Sequence, residues 1–582
     1  MISLLEQYKI IIDPISGSVG LSAIAAALAL VTLFLLLGVL RMKAWIAGLI
    51  SLAVALVVAV VVYGMPVGQA LLSASEGAAF GFFPILWIVI NAIWVYNLTV
   101  SSGHFDVLRR NFGRISPDLR IQAIIIAFCF GALLEALAGF GTPVAITVVM
   151  LMALGFRPIH AASVSLIANT APVAFGALAA PITALATVTH GASDHPGLNL
   201  ETLGAMVGRQ TPVLSIIVPL VLVAVVDGKR GVRQTWPAAL VAGVSFGVAQ
   251  FVAANYISVP LTDIVASLVA TLAVVLLLRV WRPSESPDLS VSSETAGDGK
   301  AAAAVDGDTT VPATVGSGAA TSTIERVEAE PRDSRADVFK AYAPYAIVIA
   351  LFSIANIGAV KAALAVSPWT VKFQWPGLDV LTAAGKPQSS MMFAFGWLPA
   401  AGTLMIFAGI LSAIVLGVRP GAALKAYVNT WVSLRHAIVT VMAVLALAYV
   451  LNQSGQTNTL GAFFAGAGGA FVFLSSILGW IGVAVTGSDT SANALFGALQ
   501  VQTAARTGLD PVLLAAANSS GGVMGKMISP QNLAIAAAAV GMAGREGEIF
   551  RKVLGWSLVL LLFMCILVTL QSTPILGWMV VK

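Results

Sequence analysis

Apolar stretches of about 20 residues recur along this chain, each long enough to cross a hydrocarbon core of about 30 Å as an α-helix. In the first part they cover 20–40, 44–63, 80–100, 121–139, 161–187, 211–226, 238–255 and 264–280, and in the second 342–360, 394–418, 436–451, 462–481 and 553–571. The pattern predicts an all-α polytopic membrane protein. Dividing the apolar residues by bilayer thickness gives about 12–14 full crossings. Short basic loops set their direction, because Lys and Arg are retained on the cytoplasmic side. Arg41 and Lys43, then Arg109, Arg110, Arg114 and Arg120, then Lys229, Arg230 and Arg233 all agree, and they predict external N- and C-termini.

From 283 to 337 the large apolar residues disappear and Ser, Thr, Ala, Gly, Asp and Glu take over. Such a segment cannot bury enough surface to fold alone, so it reads as a flexible cytoplasmic linker. The expected organisation is an external N-terminal segment (1–19), a first transmembrane repeat (20–227), two linking helices (228–282), the linker (283–337) and a second repeat (338–582). Composition adds little to the hydropathy pattern: 58% of residues are hydrophobic and 10% charged. The net charge of +5 lies mostly in short loops, so it needs no nucleic-acid partner. Only Cys129 and Cys565 are present, both in apolar stretches, which makes a disulfide framework or a cysteine metal site unexpected. Residues 1–19 lack the basic-then-apolar order of a signal peptide.

The stretch 479–530 breaks the hydropathy rule. It is apolar enough for membrane depth, yet it holds Asp489 and Lys526 among Thr486, Ser488, Thr490, Asn493, Asn518, Ser519 and Ser520. A lone charge at the bilayer centre costs at least about 2.5–3.5 kcal/mol, so such groups face a partner or a wet cavity. A second copy lies upstream. Asn518, Gly525 and Pro530 follow each other at intervals of seven and five, as do Asn169, Gly176 and Pro181. Gly155 and Pro158 correspond to Gly508 and Pro511, and "EALAGFGTP" from Glu135 corresponds to "TGSDT" from Thr486. The first copy is entered from the cytoplasm and the second from outside, so the reading is of two inverted-topology repeats with broken or re-entrant helices. Interrupted apolar segments at matching places in two halves point to a transporter's midplane site.

"LLEALAGFGTPVAI", "IANTAP", "TGSDTSANALFG" and "NSSGGVMGKMISPQN" resemble the lactate permease family, over nearly the whole chain outside the linker. The resemblance implies a bacterial inner-membrane carrier, not an enzyme, that couples uptake of L-lactate, D-lactate or glycolate to protons. It also implies kinship with an ion transporter superfamily built on inverted repeats and broken helices.

A 2-hydroxy monocarboxylate needs cationic or N–H donors for its carboxylate and a donor–acceptor pair for its hydroxyl. Lys526 is the expected carboxylate partner, with Asn518, Ser519, Ser520 and the amides of Gly521 and Gly522, if these open a broken helix. The plainer reading of Lys526 is a snorkelling helix-end lysine. Asn169, Thr170 and Ser165 are candidates to complete the cradle, and Ser488 and Thr142 lie at the breaks, Thr142 more as a backbone shaper. Proton coupling needs a group that loses its charge during the cycle, and Asp489 and Glu135 occupy matching positions; Asp489 is the favoured one, and a fixed Asp489–Lys526 pair is the competing reading. No cofactor and no metal site are expected. A sodium-coupled carrier of another organic anion would share this architecture, whereas an intramembrane hydrolase would need a nucleophile-and-base set or an HExxH motif that is not found.

Overall fold

The computed structural model describes residues 6–139, 141–190, 192–193, 195–285 and 333–581. Most of the expected linker, 286–332, lies outside the described residues. The first part contains α1 (Val19–Phe34), α2 (Ala44–Val61), α3 (Val67–Phe80), α4 (Trp87–Ser101), α5 (His104–Gly113) and α6 (Leu119–Ala138). It continues through α7 (Thr142–Ala153), α8 (Pro158–Ala168), α9 (Gly176–His190), α10 (Leu200–Val252) and α11 (Thr262–Val280). The second part contains α12 (Arg335–Ala355), α13 (Ala401–Val415), α14 (Pro420–Ser454), α15 (Gln456–Phe464) and α16 (Phe471–Thr486). It ends with α17 (Asp489–Thr507), α18 (Pro511–Gly525), α19 (Pro530–Ala539) and α20 (Glu546–Gln571).

Among the described residues, eleven helical stretches are long and apolar enough to cross a membrane. One of them, Leu200–Ile257, is a hairpin. Asp227 and Gly228 leave helical geometry, and Gly243 and Gly247 then pack directly on the backbone of Ile216 and Pro212. With its two arms taken separately, the number reaches the lower end of the expected range. The sequence pattern missed α3, which runs on through a kink at Phe83 beside Pro84 into α4. Its Gln69, Ser73 and Glu76 are buried and its Val67 and Leu71 are exposed. A helix with its polar face inward does not register as an apolar stretch.

Each half carries the same local plan of helix, break, helix, turn, helix, break, helix. In the first half α6 breaks at Gly139 and Gly141 before α7, and α8 breaks after Ala168 before α9. In the second, α16 breaks at Gly487 before α17, and α18 ends in the 3-10 turn Lys526–Ile528 before α19. The turns between the middle helices are those marked by Gly155 and Pro158 and by Gly508 and Pro511. Both glycines take left-handed φ, +93° and +71°, and both prolines sit at a helix start, where the missing N–H costs nothing. The two copies differ at the asparagines, since Asn169 caps the end of α8 whereas Asn518 lies inside α18.

Between α12 and α13 the chain forms short strands. β2 (Val371–Gln374) pairs with β4 (Met392–Phe395), and β3 (Val380–Leu381) runs parallel to the N-terminal β1 (Tyr8–Lys9). The N-terminus and this segment therefore lie side by side.

Candidate functional site

Glu135 lies on α6, one turn before the Gly139 break, and Lys526 directly follows the last residue of α18. Their side chains are 3% and 7% exposed, and Lys526 Nζ donates to Glu135 Oε1 at 2.5 Å. The second carboxylate oxygen, Oε2, accepts from Asn169 Nδ2 at 2.9 Å. This corrects the competing sequence reading, in which Lys526 pairs with Asp489. The ion pair instead joins the two halves. Position favours it further, because a cation at a helix C-terminus meets the negative end of the helix dipole. Gly176 keeps the space open: a Cβ there would lie 2.7 Å from Glu135 Oε1. Next to it Ala177, Leu178 and Ala179 take left-handed φ of +44°, +55° and +59°, an uncommon run for residues with a Cβ.

Asp489 opens α17, after Gly487 at φ +75° and the N-cap Ser488, whose Oγ accepts from Ser491 N. Its Oδ2 accepts from Ser519 Oγ at 2.7 Å and from Asn493 Nδ2 at 3.3 Å. Its Oδ1 has no partner among the described residues. Asn493 also donates to Pro181 O in the first half and accepts from Asn518 Nδ2, while Asn518 Oδ1 accepts from Gln500 Nε2. Ser520 Oγ donates to Gln210 Oε1 at 2.7 Å, and Gln210 in turn donates to Gln571. The breaks and their flanks are thus held by side chains of both halves.

Several expected site residues prove to have other work. Gly521 and Gly522 lie well inside α18, so their amides belong to the helix and are not open to a ligand. Their small size serves packing. A Cβ on Gly521 would come within 2.2 Å of Ser476 O, and one on Gly522 within 2.5 Å of Asp489 Oδ1. Thr170 Oγ1 turns back to Ile167 O, Thr142 N closes the break by bonding Gly139 O, and Ser488 is spent on capping. Asn169, Asn518, Ser519 and Ser520 are buried in the network around the two acids. Asn169 Oδ1 and Ser165 Oγ remain without partners among the described residues.

Sequence reasoning overlooked Asp263 and the glutamines. Asp263 is fully buried on α11; its Oδ1 accepts from Gln250 Nε2 at 2.9 Å, and its Oδ2 has no partner among the described residues. Gln250 Nε2 also reaches Ala171 O, in the break after α8. The second arm of α10 and helix α11, expected only to link the halves, thus touch the site. The available signal was the same one that exposed Asp489: an amide or carboxyl at membrane depth needs a partner. Among the described residues no three His, Cys, Asp or Glu side chains gather as metal ligands.

The sequence profile of the L-lactate permease family matches residues 22–575. The chain belongs to the L-lactate permease family. It is 40% identical to the L-lactate permease of Bacillus subtilis, over 97% of this chain and 98% of that one. To the glycolate permease GlcA of Escherichia coli it is 42% identical, over 97% and 98% of the two chains. To the L-lactate permease of Escherichia coli K12 it is 40% identical, over 98% of each. As a member of the L-lactate permease family with this many crossing-length helices, it is a multi-pass membrane transporter.

Proposed function

We propose that this permease is a proton-coupled symporter for small 2-hydroxy monocarboxylates, L-lactate first, with D-lactate and glycolate as further substrates. The names of its relatives support the substrate class, and the buried Glu135–Lys526 pair carries the coupling. A carboxylate that takes Lys526 Nζ displaces Glu135. A carboxyl left at 3% exposure without a cation is costly as an anion and cheap as an acid, so Glu135 takes up a proton as substrate binds. One anion and one proton then enter together, and the occupied site keeps its net charge. On the other side substrate leaves, the proton follows, and Glu135 recaptures Lys526.

Asn169 links the two events, because its Nδ2 holds Glu135 while its free Oδ1 accepts the substrate hydroxyl. Asp489 acts as a second acid, attached through Ser519 to α18, the helix that ends at Lys526. The two broken helix pairs, taken as inverted repeats, present this site to each side in turn. The permease lies in the bacterial inner membrane with both termini outside and the linker in the cytoplasm. Its flanks fit this placement, since Arg120 bonds Glu285 O and Arg110 bonds Asp333.

The test is uptake of labelled L-lactate into proteoliposomes under an imposed inward proton gradient, with sodium held equal on both sides. Accumulation that follows the proton gradient in wild type and vanishes in Lys526→Met supports the reading. Accumulation that needs an inward sodium gradient, imposed in a second set of vesicles at equal pH, instead makes this a sodium-coupled carrier. No uptake of any 2-hydroxy acid sinks the substrate class.

A further inference from the structure

At the bend of the α10 hairpin a cavity of about 770 Å³ opens outward, lined by Lys229, Arg230, Arg233, Trp236, Trp281 and Arg282, among others. None of these residues belongs to the transport site. Arg230 is paired with Asp227, which also binds the buried Arg120. Glu285 is engaged through its Oε2 by Gln234 Nε2. Lys229, Arg233 and Arg282 are exposed and have no carboxylate within ion-pair distance among the described residues. Among the described residues the cavity therefore carries uncompensated positive charge.

Its surroundings are apolar and exposed. On the second arm of α10, Trp236, Leu240, Val244 and Val248 are exposed at four-residue intervals, so they form one ridge. Leu272, Leu276 and Val280 do the same on the neighbouring α11. The first ridge begins at a tryptophan that lines the cavity, and the second ends next to one. A cationic recess flanked by interfacial tryptophans, at the head of two exposed apolar ridges, has the form of a lipid: phosphate at the top, acyl chains below.

We propose that this cavity binds the phosphate headgroup of an anionic phospholipid of the cytoplasmic leaflet, with its acyl chains along the two ridges. Inorganic phosphate offers the same headgroup chemistry without the chains. The acidic linker, with Glu325, Glu328 and Glu330, is the rival occupant within the chain.

The experiment is native mass spectrometry of the full-length protein with phosphatidylglycerol, cardiolipin or phosphatidylcholine. Wild type is compared with Arg233→Gln/Arg282→Gln, with phosphate as competitor, and with a chain lacking 286–332. Both arginines are exposed and, among the described residues, unpaired, so the variant is expected to keep the wild-type melting temperature in phosphatidylcholine. We expect retention of the anionic lipids over phosphatidylcholine. The double variant should lose that preference by roughly 25-fold, about fivefold per cation removed. Equal retention of all three lipids, or an unchanged double variant, overturns the proposal. So does complete displacement by phosphate at matched headgroup concentration, or anionic-lipid binding that appears only once 286–332 is removed.

Discussion

Replacing Glu135 by Gln keeps the shape of the site and removes one of its two charges. Lys526, with its side chain 7% exposed, is then a buried cation without its partner. Breaking a buried pair in this way costs about 3–5 kcal/mol. Little of that comes from Asn169, whose Nδ2 can still donate to the Gln amide oxygen. The substrate-free variant should therefore unfold at markedly lower temperature in a detergent melt. Lactate should recover much of the loss, because its carboxylate now meets Lys526 without a competitor. If only about 1.4 kcal/mol of the strain is relieved on binding, affinity at neutral pH rises tenfold. Uphill accumulation driven by a proton gradient should disappear, while exchange of bound for free lactate continues. Adding Lys526→Met to Glu135→Gln should restore most of the stability, since the neutral pair leaves no buried charge, and should abolish lactate binding. The reasoning fails if Glu135→Gln binds lactate more weakly than wild type, or if its accumulation still follows pH.

Gly176→Ala should act on the same pair from the other side. Its Cβ would stand 2.7 Å from Glu135 Oε1, an overpacking worth about 1–3 kcal/mol, and a melt combined with an uptake assay should show both lowered. Asp489→Asn leaves an amide oxygen for Ser519 Oγ, so it should cost about 1 kcal/mol of stability or less while impairing gradient-driven accumulation; unchanged accumulation would remove Asp489 from the proton path. Gly521→Ala would press a Cβ to within 2.2 Å of Ser476 O and should force α16 and α18 apart, seen as a yield or melting loss of at least about 1–3 kcal/mol. The Arg110 guanidinium bonds Asp333 and, with Arg114 nearby, holds its carboxyl below the usual carboxylate range. A depressed carboxyl pKa stabilises the attachment above the ordinary carboxylate range and loses it as pH falls through the lowered value. The attachment should therefore persist at neutral pH and fail only in acid, whereas Asp333→Asn should lose it at pH 7, seen as faster hydrogen exchange over the first turns of α12.

The breaks were legible because they are written in residues with fixed backbone habits. Gly139, Gly141, Gly487, Gly155 and Gly508 all take left-handed φ, and Pro143, Pro158, Pro511 and Pro530 all stand at helix starts. The identity of the two acids and the lysine was equally plain, since charge at membrane depth is rare. Their pairing was not, because Glu135 and Lys526 are 391 residues apart and either acid suits one lysine on chemical grounds. Glycine itself was ambiguous. Gly521 and Gly522 look like Gly487 in the sequence, yet they permit close helix packing rather than a break, a choice made by the neighbouring helix.

The Glu135–Lys526 pair also sets a schedule for biogenesis. At about 5–20 residues per second, the ribosome needs roughly 20–80 s to travel the 391 residues between them. Throughout that interval the acid has no cation to answer it, so it must sit in the bilayer with its own proton or wait at the translocon. The lysine arrives as the proton's replacement. Assembly of the two halves thus performs, once and in one direction, the same exchange of a proton for a cation that the proposed transport cycle reverses.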